Sequence, residues 1–149
     1  MFGDQLCAAS WRARPGSFVG LMTLYESNFI RLGWLAGDLR TLSGEHASRP
    51  SADCELRLAV LERGPYTTML QLTYAFAADD RTLDAPDLAV RIYHDARVAE
   101  AHAVGAVPAR ERRPVDGDAL EARWSRNVML NKWLEYCVER GHRFGSRQY

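Results

Sequence analysis

The chain has 149 residues, 47% of them apolar and 26% charged, with a formal net charge of zero. That is one domain's worth of sequence with enough apolar material for a core, and the charge balance argues against a general nucleic-acid or membrane-surface role. Three widely separated cysteines (Cys7, Cys54, Cys137) make no metal-ligand spacing and fit a reduced, cytoplasmic protein.

Residues 1–14 lack the unbroken apolar run of a signal peptide and read as a flexible leader. A single α+β domain is expected over 15–143, with a short tail over 144–149. Ser17 is a candidate N-cap for a helix that runs to about Leu39. Phe18, Leu21, Met22, Tyr25, Phe29, Leu32, Ala36 and Leu39 recur at three- and four-residue spacing, which makes a wide apolar stripe. Asn28 falls inside that stripe, so it is expected to face the interior, and Glu26 to face outward.

Residues 42–53 are polar and turn-rich and read as a loop. Two alternating runs follow, Cys54–Leu61 and Tyr66–Tyr74, joined by Arg63-Gly64-Pro65. Pairing Glu62 with Tyr66 sets Val60 opposite Thr68, Leu58 opposite Leu70, Leu56 opposite Leu72 and Cys54 opposite Tyr74, an almost wholly apolar face. Residues 76–87 form an acidic loop.

The second hairpin, 88–104, has one oily and one polar face. Folding Tyr93 against Val98 puts Arg91 opposite Glu100, Ile92 opposite Ala99, Val90 opposite Ala101 and Ala89 opposite His102. Leu88, Val90, Ile92, Ala99, Ala101 and Ala103 then share one side, and Arg91, Tyr93, Glu100 and His102 the other. A one-residue slip would exchange the two sets, so the pattern specifies the pairing. After a connector bearing Arg110, Arg112 and Arg113, Asp118 caps a helix that runs to about Arg140 and stops at Gly141. Beyond it lies a basic, frayed tail.

The predicted order is helix, four strands, helix. The economical solution is a four-stranded antiparallel sheet of two hairpins, with both helices on one face and the polar face left bare or covered by a partner.

Five segments then stand out in order: Pro15-Gly16-Ser17-Phe18-x-Gly20-Leu21-Met22, Tyr25-Glu26-x-Asn28-Phe29, Glu62-Arg63-x-x-Tyr66-Thr67-Thr68, Val90-Arg91-x-Tyr93-His94-Asp95-Ala96-x-Val98-Ala99-Glu100, and Asn127-x-x-Leu130-x-x-Trp133-Leu134-x-Tyr136-Cys137. Together they resemble the YqiB-like domain-of-unknown-function family of proteobacteria over about residues 15–143. The resemblance implies no catalytic residues and no cofactor.

The residues themselves nominate two clusters. The first is Arg91, Tyr93, Glu100 and Arg57 on the polar sheet face, with His94 and Asp95 in the adjoining turn. A guanidinium beside a carboxylate and a phenol suits recognition of a planar anion, although a cross-strand ion pair is also ordinary sheet chemistry worth about 0.2–1 kcal/mol. Asp95 is expected to bond nearby backbone N–H groups. The second cluster is Tyr25, Glu26 and Asn28 with Asn127, whose commonest role would be a structural tie between helices.

No Walker loop, Gly-rich dinucleotide turn, nucleophile elbow or zinc-protease motif is present. The leading expectation is a cytoplasmic accessory protein that binds a small anionic ligand or a protein partner through the polar sheet face, with homodimerisation on that face open. The alternative is a small hydrolase acting on a phosphorylated metabolite or nucleotide, in which Arg91 holds phosphate and His94 or Glu100 moves protons. Convergence of Arg91 with His94, Glu100 or Asn28 in one pocket would favour the enzyme. An apolar patch of Leu61, Met69 and Val98 would favour the dimer. A basic stripe joining Arg57, Arg91 and Arg110–Arg113 would favour RNA.

Overall fold

The computed structural model describes residues 16–75, 87–105 and 119–144. The leader, the acidic loop, the basic connector and the last five residues lie outside them. The first helix, α1, is Phe18–Ala36, and Ser17 Oγ accepts the Gly20 N–H at 2.9 Å. It stops three residues short of Leu39 because Gly37 takes φ +74 and donates its N–H to Gly33 O at 2.8 Å, a positive φ that glycine adopts without a Cβ clash. Leu39 and Leu42 are still buried beyond the stop, whereas Phe18, at the head of the expected stripe, is exposed.

Among the described residues the sheet has five strands, not four: β1 Glu45–Ser48, β2 Glu55–Arg63, β3 Thr67–Ala75, β4 Asp87–Tyr93 and β5 Val98–Val104. They form an antiparallel meander in chain order. β1 arises inside the expected loop. It is only four residues long, too short for alternation to announce it, and it is held by pairing His46 with Leu58 and Ser48 with Leu56.

In the first hairpin the register differs from the expected one by two residues. Leu56 lies opposite Tyr74, Leu58 opposite Leu72 and Val60 opposite Leu70, and a bulge at Leu61 then sets Glu62 against Met69. A shift of two keeps every side chain on its expected face, because side chains alternate with period two. In the second hairpin Tyr93–Val98, Ile92–Ala99, Arg91–Glu100 and Val90–Ala101 pair as expected. A bulge at His102 then sets Ala89 opposite Ala103, since one extra residue on a strand reverses its phase. Ala103 therefore packs with Met69 and Ala89 on the outer face, not with the core.

The second helix, α2, is Leu120–Glu139. Asp118 lies outside the described residues, and Ala119 occupies the N-cap position. The two helices pack on each other and on β5. Beneath them Leu32, Leu35, Leu56, Leu58, Leu70, Leu72, Leu88, Val90, Ile92, Leu130 and Leu134 form one core. The segment after α2 is docked where a frayed tail was expected. Phe144 is buried and donates its N–H to Leu35 O at 2.8 Å. No helix among the described residues is long and apolar enough to cross a membrane.

Candidate functional site

The hairpin register brings Arg91, Tyr93 and Glu100 to the outer face of the sheet, but that face is not bare. Met69 and Ala89 are fully buried there, so they form no exposed patch with Leu61, and Val98 packs on Leu21, Leu24 and Tyr25 of α1. Arg91 itself is 8% exposed, and its Nε and Nη2 are buried without a hydrogen-bond partner. Glu100 lies directly across the strand. Its Oε1 accepts the Tyr93 hydroxyl at 3.0 Å.

Burial, and then the neighbouring Glu100 carboxylate, push the Tyr93 phenol well above its ordinary range, and Arg91 pulls the other way. Tyr25, from α1, reaches the same neighbourhood. Burial first and Glu100 second raise its hydroxyl to about 12, opposed by Arg123 and Arg126. Two phenols, one carboxylate and a buried guanidinium thus meet at the β4–β5 edge.

Arg57 does not join them. It shares a row with Thr73 and Asp87, four residues along from Arg91 and two strands over, on the order of 15 Å away by strand geometry. There it lines a cleft of about 530 Å³ with Arg49, Glu55 and Gln71 and sits 3.4 Å from Glu55. Arg110–Arg113 lie outside the described residues.

His94 and Asp95 part company with Arg91 as well. Alternation turns His94 to the helix side, where it is 6% exposed and its Nε2 meets Thr68 Oγ1 at 2.8 Å. Burial, then the cations of Arg40 and Arg63, hold the imidazole below its ordinary pKa, so it is neutral at neutral pH. Asp95 is exposed and pairs with Arg40 Nη2 at 3.1 Å, in place of the expected backbone bonds. Arg91 and His94 therefore do not converge, whereas Glu100 lies directly opposite Arg91.

The second cluster resolves into a ladder between the helices. Asn28 Nδ2 donates to Asn127 Oδ1 at 3.2 Å and to Ala99 O at 3.3 Å. Asn127 Oδ1 also accepts the Ala101 N–H at 2.7 Å, and Arg126 Nε donates to Ala101 O at 3.0 Å. Ala99 and Ala101 belong to the edge strand β5, so these side chains occupy backbone groups that a free edge would offer to another chain. One turn on, Asn131 Nδ2 donates to Ser27 Oγ and Asn28 Oδ1, each at 3.0 Å. Arg31, 1% exposed, donates to Ser27 Oγ and lies 3.7 Å from Glu135. Glu26 stays outside, exposed on α1.

Ser27, Arg31, Asn131 and Glu135 escaped the sequence reading. The four-residue spacing of Asn127, Asn131 and Glu135 was the available signal, but it looks the same on a solvated helix face.

A further buried relay was also missed. His142 Nδ1 lies 2.9 Å from Ser48 Oγ and its Nε2 lies 2.9 Å from Asp53 Oδ2, which also accepts the Tyr74 hydroxyl at 2.7 Å. Burial raises the Asp53 pKa, but the bonds from Tyr74 and His142 outweigh it and leave the carboxyl below its ordinary value. Ser48 Oγ accepts the Arg143 N–H at 3.1 Å, so the relay fastens the C-terminal segment across β1 and the β1–β2 turn. Among the described residues no group of His, Cys, Asp and Glu is arranged to hold a metal ion.

The sequence profile of a family described as "Protein of unknown function (DUF1249)" matches residues 31–143. The uncharacterized protein YqiB of Escherichia coli K12 is 30% identical over 128 residues, covering 83% of this chain and 90% of the relative, and its counterparts in strains CFT073 and O157:H7 match to the same extent. No solved structure matches.

Proposed function

The chain belongs to the DUF1249 family of proteins of unknown function, and we propose that it is a cytoplasmic binding protein that takes a small anion at Arg91, on the outer face of its sheet. One observation carries this reading: a guanidinium nine-tenths buried with two nitrogens unpaired. Leaving a buried charged donor unsatisfied is costly, by about 1–3 kcal/mol or more, and that strain is relieved by a carboxylate or phosphate, which a guanidinium can grip through two parallel bonds. The Glu100 carboxylate is engaged by the Tyr93 hydroxyl. Three cysteines far apart in sequence and odd in number accord with a cytoplasmic setting.

Thermal melting against phosphate, sulfate, carboxylates and nucleotides tests the proposal. A ligand held at a hundred times its Kd adds about 2.7 kcal/mol, which for a domain of this size is a shift of about 5–10 °C. Arg91→Met should abolish the shift while leaving the unliganded protein as stable as before or more so, because an apolar side chain replaces an unpaired buried cation. If no anion moves the melting curve, or if Arg91→Met keeps the shift, the proposal fails.

A further inference from the structure

The C-terminal end of α1 is bordered by two adjoining clefts of about 270 and 490 Å³ that share Phe29, Gly33 and Arg97. The smaller is mixed in character, with Asp38, Arg40 and His94 in its lining beside Leu39. The larger runs along Phe29, Ile30 and Trp34, and Trp34 is 44% exposed. A chamber bearing Arg40 and Asp38 therefore opens onto an aromatic trough, and Arg97 lines both.

Arg97 is placed there at a conformational cost. The four-residue loop between Tyr93 and Val98 closes with the Arg97 N–H on Tyr93 O at 2.9 Å, and the closure gives Arg97 a φ of +59. Glycine or asparagine suits that position, and a long side chain there is strained. The guanidinium lies 6.0 Å over the Phe29 ring, at the mouth of both clefts. The Arg40 guanidinium pairs with Asp95, in an ion pair more than half exposed on both sides, and such pairs exchange readily for a better anion. His94 Nε2 is taken by Thr68, which leaves Nδ1 as its second hydrogen-bonding atom.

Gly33 keeps the junction open. A Cβ built there meets nothing within 4 Å, so the helix has been left without a side chain where packing did not demand it, although glycine is a poor helix residue.

We propose that these paired clefts form a second binding site, for a small aromatic monophosphate whose phosphate lies against Arg97 and Arg40 and whose ring lies along Phe29, Ile30 and Trp34. The size and the mix of an apolar wall with a few convergent polar groups suit such a ligand. Planar guanidinium groups match phosphate oxygens, and an aromatic wall favours a planar ring. The site is independent of Arg91, which lies on the other side of the sheet.

Titrating the full chain with 1-naphthyl phosphate, followed by tryptophan fluorescence and calorimetry, tests this. The expected result is binding at least tenfold tighter than that of either half, 1-naphthol or inorganic phosphate. AMP run alongside separates a nucleotide from a simple aryl ester, and binding of either supports the site.

Arg97→Gly removes the cation and relaxes the backbone, and Gly33→Leu fills the junction with a better helix former. Each should weaken binding at least tenfold while the melting temperature stays level or rises. That combination separates a binding role from a structural one. Failure of both probes to bind more tightly than their halves, or wild-type affinity in Arg97→Gly, would overturn the proposal.

Discussion

Replacing Asn127 by alanine tests whether the buried amide ladder is what closes the β5 edge. Its Oδ1 accepts two donors, Ala101 N–H at 2.7 Å and Asn28 Nδ2 at 3.2 Å, and its Nδ2 donates to Arg123 O at 2.8 Å. Asn28 Nδ2 keeps its second acceptor, Ala99 O, so its loss is partial. The Ala101 N–H has no such alternative, and a stranded buried donor costs about 1–3 kcal/mol. Adding the other two weakened bonds at about 1 kcal/mol each gives about 3–5 kcal/mol, a large share of the roughly 5–15 kcal/mol that stabilises a typical domain.

Urea unfolding followed by circular dichroism measures the loss, and hydrogen exchange at the Ala101 amide reports whether the edge has opened. Asn28→Ala should cost less, because the groups it strands are chiefly carbonyl and carboxamide oxygens. The double variant should fall short of the sum by about 1 kcal/mol or more, since the two residues share a bond. A cost below about 1 kcal/mol for Asn127→Ala, or strict additivity with Asn28→Ala, would refute the reasoning.

Two further outcomes follow from the relay and the thiols. The Asp53 carboxyl is held below its ordinary value of 3.8 by its bonds from Tyr74 and His142. Its contribution is therefore complete above that value and is lost as pH falls through the lower, folded one. Asp53→Asn should flatten this part of the acid-unfolding profile, and an unchanged profile would show that the relay does not couple to protons. The Cys137 thiol, fully buried, is raised to about 12 by burial first, against the bond from Tyr74. Iodoacetamide at pH 8 should label it only at the rate of global unfolding, and rapid labelling of the native chain would contradict the packing described around it.

The phase of β2 to β5 is legible in the sequence because alternation carries it. Val90 and Ile92 point to the core, and Arg91 and Tyr93 away from it, whatever the neighbouring strand does. A two-residue change of register between β2 and β3 left those faces untouched, whereas single-residue bulges at Leu61 and His102 reversed them locally. Bulges leave no mark in hydrophobic periodicity, so Ala103 was assigned to the wrong side. Likewise Asn28 inside an apolar stripe announced a buried polar tie, but its partners Asn127 and Asn131 lie a hundred residues away, and only their approach in space identifies the ladder.

Sequence by itself therefore determined the α+β class, the sidedness of β4 and of β5 as far as Ala101, and the interior position of Asn28, all of which depend on periodicities no longer than one helical turn. Tertiary structure alone decided that β1 exists, that Arg91 is buried and unpaired, that His94 faces a cleft away from it, and that His142 reaches back to Ser48 and Asp53. Each of these depends on distances between segments remote in the chain. Burial and hydrogen bonding are properties of the assembled packing, and no local pattern encodes which distant atom will arrive.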